Sequence, residues 1–167
     1  MTEEARADVV EVLLGAHIET RHTLTMADSL AQGSATPAAQ ELAAQVADYL
    51  EWLLPLHEAD EDESLAPRLR GKHPVVDEAL INMHRQHLAL QGPLARLKLL
   101  CRQVAGDMSR LHALRFELAA ATADLRARLK DHEAMEESII FPALKRTLYV
   151  DELDSISDEM KARRASA

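Results

Sequence analysis

The spacing of apolar residues along the chain is the feature that most restricts its fold. Residues 33–37, 67–74 and 106–109 contain glycines and prolines of the kind that end helices, and they divide the sequence into four long stretches. Within each stretch apolar residues recur at alternating spacings of three and four, which is typical of bundled helices. We predict an all-α chain with helices over 4–32, 37–66, 74–105 and 108–147, and a short fifth helix over 151–163.

Composition and connection length both favour a helical bundle. Apolar residues make up 47% of the 167 residues, aromatic residues only 3%, and there are five glycines, which favours helix over sheet. Short connections place successive helices antiparallel. The predicted topology is therefore an up-down-up-down antiparallel four-helix bundle over residues 1–150, followed by a short C-terminal helix and tail over 151–167.

Charge and cysteine content restrict the partners and the compartment. The net charge of −9 argues against nucleic acid or an anionic membrane as a partner, because both attract basic surfaces. The single cysteine, Cys101, excludes an internal disulfide framework and fits a reducing compartment. Residues 1–8 lack the apolar stretch of a signal peptide, and no stretch is apolar enough to span a membrane. We predict a cytoplasmic protein.

The inward positions of every helix include a histidine. The third stretch is the most regular, with Val76, Leu80, Met83, His87, Leu90, Leu94, Leu97, Cys101 and Val104. The matching positions are Val10, Leu13, His17 and Leu24 in the first stretch; Leu42, Val46, Leu50, Leu53, His57 and Glu61 in the second; and Leu111, Leu114, Leu118, Leu125, Leu129, His132, Glu136 and Ile140 in the fourth. Because neighbouring helices run antiparallel, the four histidines are expected to share one layer.

An internal repeat adds two carboxylates to this layer. His57-x-x-x-Glu61 and His132-x-x-x-Glu136 are each followed, after five further residues, by a proline. Residues four apart share a helix face, so each imidazole and carboxylate can reach the same metal or neighbouring metals. The alternative is a pair of solvated acidic segments, but a glutamate on an apolar stripe needs a proton, a cation or a metal. We predict metal ligation by His17, His57, Glu61, His87, His132 and Glu136.

Other polar residues receive weaker assignments. Helical spacing favours His87 over His84 and His17 over His22, while His84 stays open as an additional ligand. Arg21 is either a solvated side chain or a hydrogen-bond partner of a ligating carboxylate. The residues expected at the surface are His22, His73, His112, Glu58 and Glu133, with the edge of the site as the alternative for the two glutamates, because each follows a ligand histidine. Those expected to pack are Tyr49, Trp52 and Cys101, with a redox role near the metal as the alternative for the tyrosine.

The predicted ligands indicate the metal. Imidazole and carboxylate without thiolate suit iron, manganese or zinc. Six protein ligands exceed the number that one tetrahedral zinc ion needs, whereas two iron ions that share bridging carboxylates use all of them. Iron is therefore the expected metal, and manganese or zinc is a weaker expectation.

The motifs resemble those of the hemerythrin-like, or HHE cation-binding, domain family over about residues 8–147. They are residues 9–17 with Arg21, His57-x-x-x-Glu61 through Pro67, residues 85–87, and His132-x-x-x-Glu136 through Pro142. The resemblance implies a di-iron centre bridged by the two glutamates and an oxo or hydroxo group, with the same six residues as ligands. It also implies that the centre binds dioxygen or changes its redox state.

The third helix departs from the oxygen-carrying members of that family. Those proteins have two histidines four residues apart there, but the residues four before and four after His87 are Met83 and Gln91. This favours a protein that senses, buffers or binds iron, oxygen or reactive nitrogen species, with a small diatomic or oxygen-derived ligand. The alternatives are a di-iron redox enzyme acting on peroxide, nitric oxide or oxygen, and a metal-free helical interaction module.

Overall fold

The computed structural model describes residues 8–166, and all regular secondary structure within that range is helical. The all-α prediction is confirmed. The predicted helix start at residue 4, and most of the segment examined for a signal peptide, lie outside the described residues. No helix in the described range combines the length and the apolarity that a membrane crossing requires.

Five helical segments follow one another along the chain. Helix α1 is Val9–Gln32, α3 is Pro74–Gly106 and α5 is Val150–Ser166. Helix α2 covers residues 37–69 as Pro37–Asp48, Tyr49–Leu53, Leu54–Ala59, Asp60–Leu65 and Ala66–Leu69. Helix α4 covers residues 108–147 as Met108–Arg110, Leu111–Met135, Glu136–Ile140 and Phe141–Thr147. Helices α1 to α4 pack in a ring, each against the next, with α4 closing on α1.

Polar side chains cap the N-terminal ends of α1 and α2. The Asp8 carboxylate accepts a hydrogen bond from the Val10 N–H at 2.9 Å, and the Thr36 hydroxyl accepts one from the Ala39 N–H at 3.2 Å. Pro37 follows Thr36 in the first turn of α2, where its missing N–H costs no helical hydrogen bond. These caps satisfy backbone donors that have no partner inside the helix.

Helices α2 and α4 contain three π-helical segments, and each one precedes a proline. Tyr49–Leu53 comes before Pro55, Asp60–Leu65 before Pro67, and Glu136–Ile140 before Pro142. Proline lacks an N–H and its ring clashes with the carbonyl four residues earlier, so a wider turn before it lets the helix continue. This explains why α2 extends to Leu69, although its predicted end was residue 66.

The first π segment changes which residues of α2 face the core. Its wider turn takes up an additional residue, so the inward position moves from Leu53, which is 50% exposed, to Leu54, which is 3% exposed. The predictions that Leu53 faces inward and that Trp52 packs are therefore wrong, since Trp52 is 58% exposed. Tyr49 and Cys101 are buried, as predicted.

Two apolar clusters fill the bundle, and the predicted ligands lie between them in sequence on every helix. One cluster includes Leu24, Leu54, Leu90 and Leu129, and the other includes Leu13, Leu65, Met83 and Ile140. His17 lies between Leu13 and Leu24 on α1, and His87 lies between Met83 and Leu90 on α3. The polar layer is thus closed by apolar side chains on both sides.

Helix α5 packs against the segment of α2 that carries Glu61. Ile156 and Met160 are buried in the second cluster. The Asp60 carboxylate has no exposed surface and accepts hydrogen bonds from Arg163 at 2.8 Å and from Arg164 at 2.7 Å. The guanidinium of Arg68 on α2 binds the Glu159 carboxylate at 2.6 Å. Apolar and ionic contacts together fix α5 beside the π-helical segment Asp60–Leu65.

Replacing both arginines with methionine, in the double variant R163M/R164M, is expected to destabilise the fold. The Asp60 carboxylate would stay buried after losing both ion-pair partners, and breaking a buried pair costs about 3–5 kcal/mol of unfolding free energy. Urea denaturation of the metal-free protein measures the loss. Lys161→Met, which removes an exposed cation from the same helix, is the control. A loss below about 1 kcal/mol, the range of exposed ion pairs, would contradict the interpretation.

Candidate metal centre

The six residues predicted as ligands lie together in the core. Their ligand atoms form two groups, each with all atoms within 4.8 Å of one another. One group contains His17, His57, Glu61 and Glu136, and the other contains Glu61, His87, His132 and Glu136. All six residues are at least 96% buried. Both glutamates belong to both groups, which is the arrangement of carboxylates that bridge two metal ions.

Each glutamate divides its two oxygens between the two groups. Glu61 places Oε1 3.2 Å from His57 Nε2 and Oε2 3.2 Å from His87 Nε2. Glu136 places Oε2 3.2 Å from His17 Nε2 and Oε1 3.1 Å from His132 Nε2. Each group therefore receives two imidazole nitrogens and one oxygen from each carboxylate.

These atoms fit a metal better than they fit one another. The Nε2 atoms of His17, His57 and His87 and all four oxygens of the two glutamates are buried without a hydrogen-bond partner among the described residues. Nitrogen and oxygen lie close, but the contacts lack hydrogen-bond geometry. Buried polar atoms are almost always paired, and a buried carboxylate needs a proton or a cation. A shared pair of cations would satisfy all seven atoms at once.

Three histidines are oriented through their other ring nitrogen. His17 Nδ1 lies 2.8 Å from Glu137 Oε1, and His87 Nδ1 lies 2.9 Å from Asp62 Oδ2. His132 Nδ1 lies 3.0 Å from Gln86 Oε1. Because these oxygens are acceptors, each Nδ1 carries a proton, which leaves Nε2 as the nitrogen that a metal would use.

These supporting residues were not predicted from the sequence, although the repeat contains a signal for two of them. Asp62 follows Glu61 and Glu137 follows Glu136, so the acidic residue after each bridging glutamate is part of the repeat. Each supports a histidine on the helix that its glutamate also contacts. Gln86 lies outside the repeat and had no such signal.

The surroundings shift the pKa values of the ligands in opposite directions. Burial raises the pKa of Glu61 to about 7 and that of Glu136 to about 8. Burial lowers the pKa of His132 to about 3, and nearby histidines add to the effect. Burial also opposes the charge of His87, but the Asp62 and Glu61 carboxylates outweigh it and raise the pKa of His87 to about 10. The metal-free centre therefore holds protons on its carboxyl groups near neutral pH.

Two acidic residues expected at the surface lie at the edge of the centre instead. Glu133 is 4% exposed, and its Oε2 accepts a hydrogen bond from Arg21 at 2.6 Å. Glu58 is half-buried, with Oε1 fully buried and without a hydrogen-bond partner among the described residues. Both follow a ligand histidine by one residue, and helical geometry turns them toward the neighbouring helices. The surface assignment was wrong for both residues.

The remaining assignments are settled by exposure and contacts. His84 is 62% exposed and lies 3.4 Å from Asp62 Oδ1, outside both ligand groups. Arg21 contacts Glu133 and Glu137, neither of which belongs to the two groups that share Glu61 and Glu136. The histidines at 22, 73 and 112 are exposed, as predicted.

A small cavity of about 10 Å³ adjoins the centre. It is lined by His17, Thr20, Leu54, His57, Glu58, Leu129, His132 and Glu133. A volume of this size holds about one water-sized molecule. Three ligand histidines therefore border a space that admits only a small ligand.

Comparison with protein families matches residues 8–115 to the hemerythrin HHE cation binding domain. The match covers more than half of the chain and includes His17, His57, Glu61 and His87. The chain belongs to the hemerythrin HHE family. Comparison with curated proteins finds none that matches.

Membership of the hemerythrin HHE family and the buried histidine and glutamate cluster agree on cation binding. The family match ends before His132 and Glu136, so the assignment of these two residues as ligands depends on the internal repeat and on the geometry. Both are as deeply buried as the four matched residues, and the distance between their ligand atoms, 3.1 Å, is similar to those among the matched residues. The repeat thus completes in α4 the site that the family match begins in α1 to α3.

Replacing Asp62 with asparagine is expected to weaken metal binding. The His87 imidazole would lose the carboxylate that fixes its orientation, and losses of this kind lower metal affinity by about 10–100-fold. Competition with a coloured chelator measures the affinity. Glu63→Gln, a change at a 67% exposed neighbour, serves as the control. Equal affinities for both variants would show that Asp62 does not support the centre.

Metal loading is expected to release more protons at pH 6 than at pH 8. At pH 6 the Glu61 and Glu136 carboxyl groups are both protonated in the metal-free protein, and ligation displaces those protons. At pH 8 Glu61 is largely ionised and Glu136 is about half ionised. The difference should be at least about one proton per chain, measured anaerobically with ferrous iron and a pH indicator. Because protons compete with iron for the same ligands, the affinity for iron decreases as the pH is lowered, and iron should dissociate below about pH 5. Full retention at pH 4 would count against histidine ligation.

Proposed function

We propose that this protein binds a pair of iron ions through His17, His57, Glu61, His87, His132 and Glu136, and that it senses or buffers iron, oxygen or reactive nitrogen species. The observation that carries the proposal is the pair of four-residue groups that share Glu61 and Glu136. Two shared carboxylates with one histidine pair on each side provide equal ligand sets for two ions. A single ion would leave half of these buried atoms unpaired.

The proposed topology is the up-down-up-down bundle. On α1 and α3 the chain passes from the cluster that contains Leu13 and Met83 to the cluster that contains Leu24 and Leu90. On α2 and α4 it passes in the opposite order, from Leu54 to Leu65 and from Leu129 to Ile140. This alternation supports antiparallel neighbours, with the metal layer at a common depth.

Iron is the proposed metal because imidazole and carboxylate donors suit it and because the family is a cation-binding one. Manganese and zinc are compatible with the same donors. When bound, a pair of iron ions supplies redox chemistry and coordination of oxygen-derived ligands. Glu137 and Asp62 hold His17 and His87 in position, and the two apolar clusters exclude bulk water from the layer.

The volume beside the histidines supports a small diatomic or oxygen-derived ligand. A cavity of about 10 Å³ does not accommodate an organic substrate. On α3 the residues four before and four after His87 are Met83, which is buried, and Gln91, which contacts Glu58. The protein ligands then number six, which favours sensing or redox chemistry over reversible oxygen carriage. The alternative function, a di-iron redox enzyme acting on peroxide, nitric oxide or oxygen, uses the same centre.

A cytoplasmic location belongs to the same proposal. The net charge of −9 and the single buried cysteine support a reducing compartment and small ligands rather than nucleic acid or membrane as partners.

Metal analysis after aerobic expression with added iron is expected to find about two iron ions per chain, a number set by the two ligand groups. An absorption spectrum with oxo-bridge bands that dithionite removes is expected beside it. His57→Ala should lose about half of the iron or more, because it removes a donor from one group. His22→Ala, at an exposed histidine, should lose none.

Fewer than about one iron ion per chain in the wild-type protein would contradict the proposal. Steady turnover of peroxide or nitric oxide by the loaded protein would select the enzyme alternative. Reversible binding without turnover would support the sensing or buffering function.

A further inference from the structure

Two cavities meet beside the centre. The inner one is the cavity of about 10 Å³ at the ligand histidines, and the outer one is a groove of about 510 Å³ between α1 and α4 that opens at the surface. Leu129 and Glu133 line both, and the two cavities share no other described residue. A small molecule in the groove is therefore separated from the metal layer by these two side chains.

Of the two, Glu133 is held in place by a contact across the seam between α1 and α4. Its Oε2 lies 2.6 Å from Arg21 NH1, and the same nitrogen lies 3.3 Å from Glu137 Oε1. Arg21 is 51% exposed, whereas the Glu133 side chain is 5% exposed. The guanidinium of Arg21 therefore lies at the surface, and the carboxylate of Glu133 lies in the wall of the inner cavity.

Glu133 is absent from the two groups that share Glu61 and Glu136, and its carboxylate makes no hydrogen bond to a ligand histidine among the described contacts. It lies near the centre in a third group of ligand-type atoms, with His17 and Glu137, whose atoms are within 4.8 Å of one another, but there Arg21 binds both carboxylates. Glu137, one turn further, is the residue that orients His17. Glu133 therefore lines the wall of the inner cavity, where Arg21 fixes its carboxylate, and it stands outside the two groups that share Glu61 and Glu136.

We propose that the Arg21–Glu133 pair controls the access of small ligands to the metal centre from the groove between α1 and α4. A ligand passes when the carboxylate swings away from the inner cavity, and Arg21 sets how often this happens. The pair then determines the rate of ligand exchange and selects against larger molecules, while the metal and its ligands determine the affinity. This inference rests on the proposed function, because it requires a centre that binds small ligands.

The test uses the full-length, iron-loaded protein and azide as the ligand, with binding followed by stopped-flow absorbance. Glu133→Ala removes the wall, so the association and dissociation rates are both expected to rise by about tenfold or more. The equilibrium constant should change by less than about threefold, because the barrier is lowered equally in both directions. Thr25→Ala, which alters only the outer groove, should leave both rates unchanged.

Arg21→Met gives a second measurement in which the carboxylate stays but loses its partner. It should also raise both rates, and the iron content of every variant is measured to show that the centre is intact. Azide rates within about twofold of wild type in both variants would overturn the proposal. A change in dissociation rate alone would overturn it too, since it would mark Glu133 as a residue that contacts the ligand. If wild-type iron-loaded protein gave no azide band at all, the proposed function itself would fail.

Discussion

The burial of two glutamate side chains in a helical core is the constraint on which the rest of the structure depends. Glu61 and Glu136 have no exposed surface, and their four oxygens lack hydrogen-bond partners among the described residues. Ionised carboxylates in this environment are strongly unfavourable without cations. The four histidines, their orienting partners and the apolar clusters on both sides are arranged around this requirement. The core is therefore organised to hold positive charge between Glu61 on α2 and Glu136 on α4.

The repeat in α2 and α4 explains why the centre is nearly symmetric. Each copy supplies a histidine, a bridging glutamate and a following acid that orients a histidine on a neighbouring helix. Each copy also continues through a π-helical segment to a proline. The wide turn begins beside the glutamate that both ligand groups share, so the backbone change that accommodates the proline also sets the direction of that side chain. Function and helix continuity depend on the same few residues.

Periodicity was sufficient to predict the ligand layer but not the residues where the helical period changes. All nine inward positions of α3 are buried, and His17, His57, His87 and His132 face one another. Leu53 was misplaced because a π-helical turn shifts the register, and a sequence pattern that assumes one constant period cannot show it. Glu133 was misplaced because its burial depends on a cation from α1. Contacts between helices, rather than local spacing, decide such positions.

Within the five-residue His-x-x-x-Glu motif the two copies of the repeat differ at one position, and this difference connects the centre to the last helix. Asp60 occupies the place before Glu61, whereas Met135 occupies the place before Glu136. Met135 packs against the apolar cluster, while the buried Asp60 requires the two arginines of α5. The position of Glu61 on α2 therefore depends partly on the ion pairs of its neighbour Asp60 with α5, whereas the residue before Glu136 on α4 makes an apolar contact instead. Because Glu61 belongs to both ligand groups, a displacement of α5 would reach both groups through this one carboxylate.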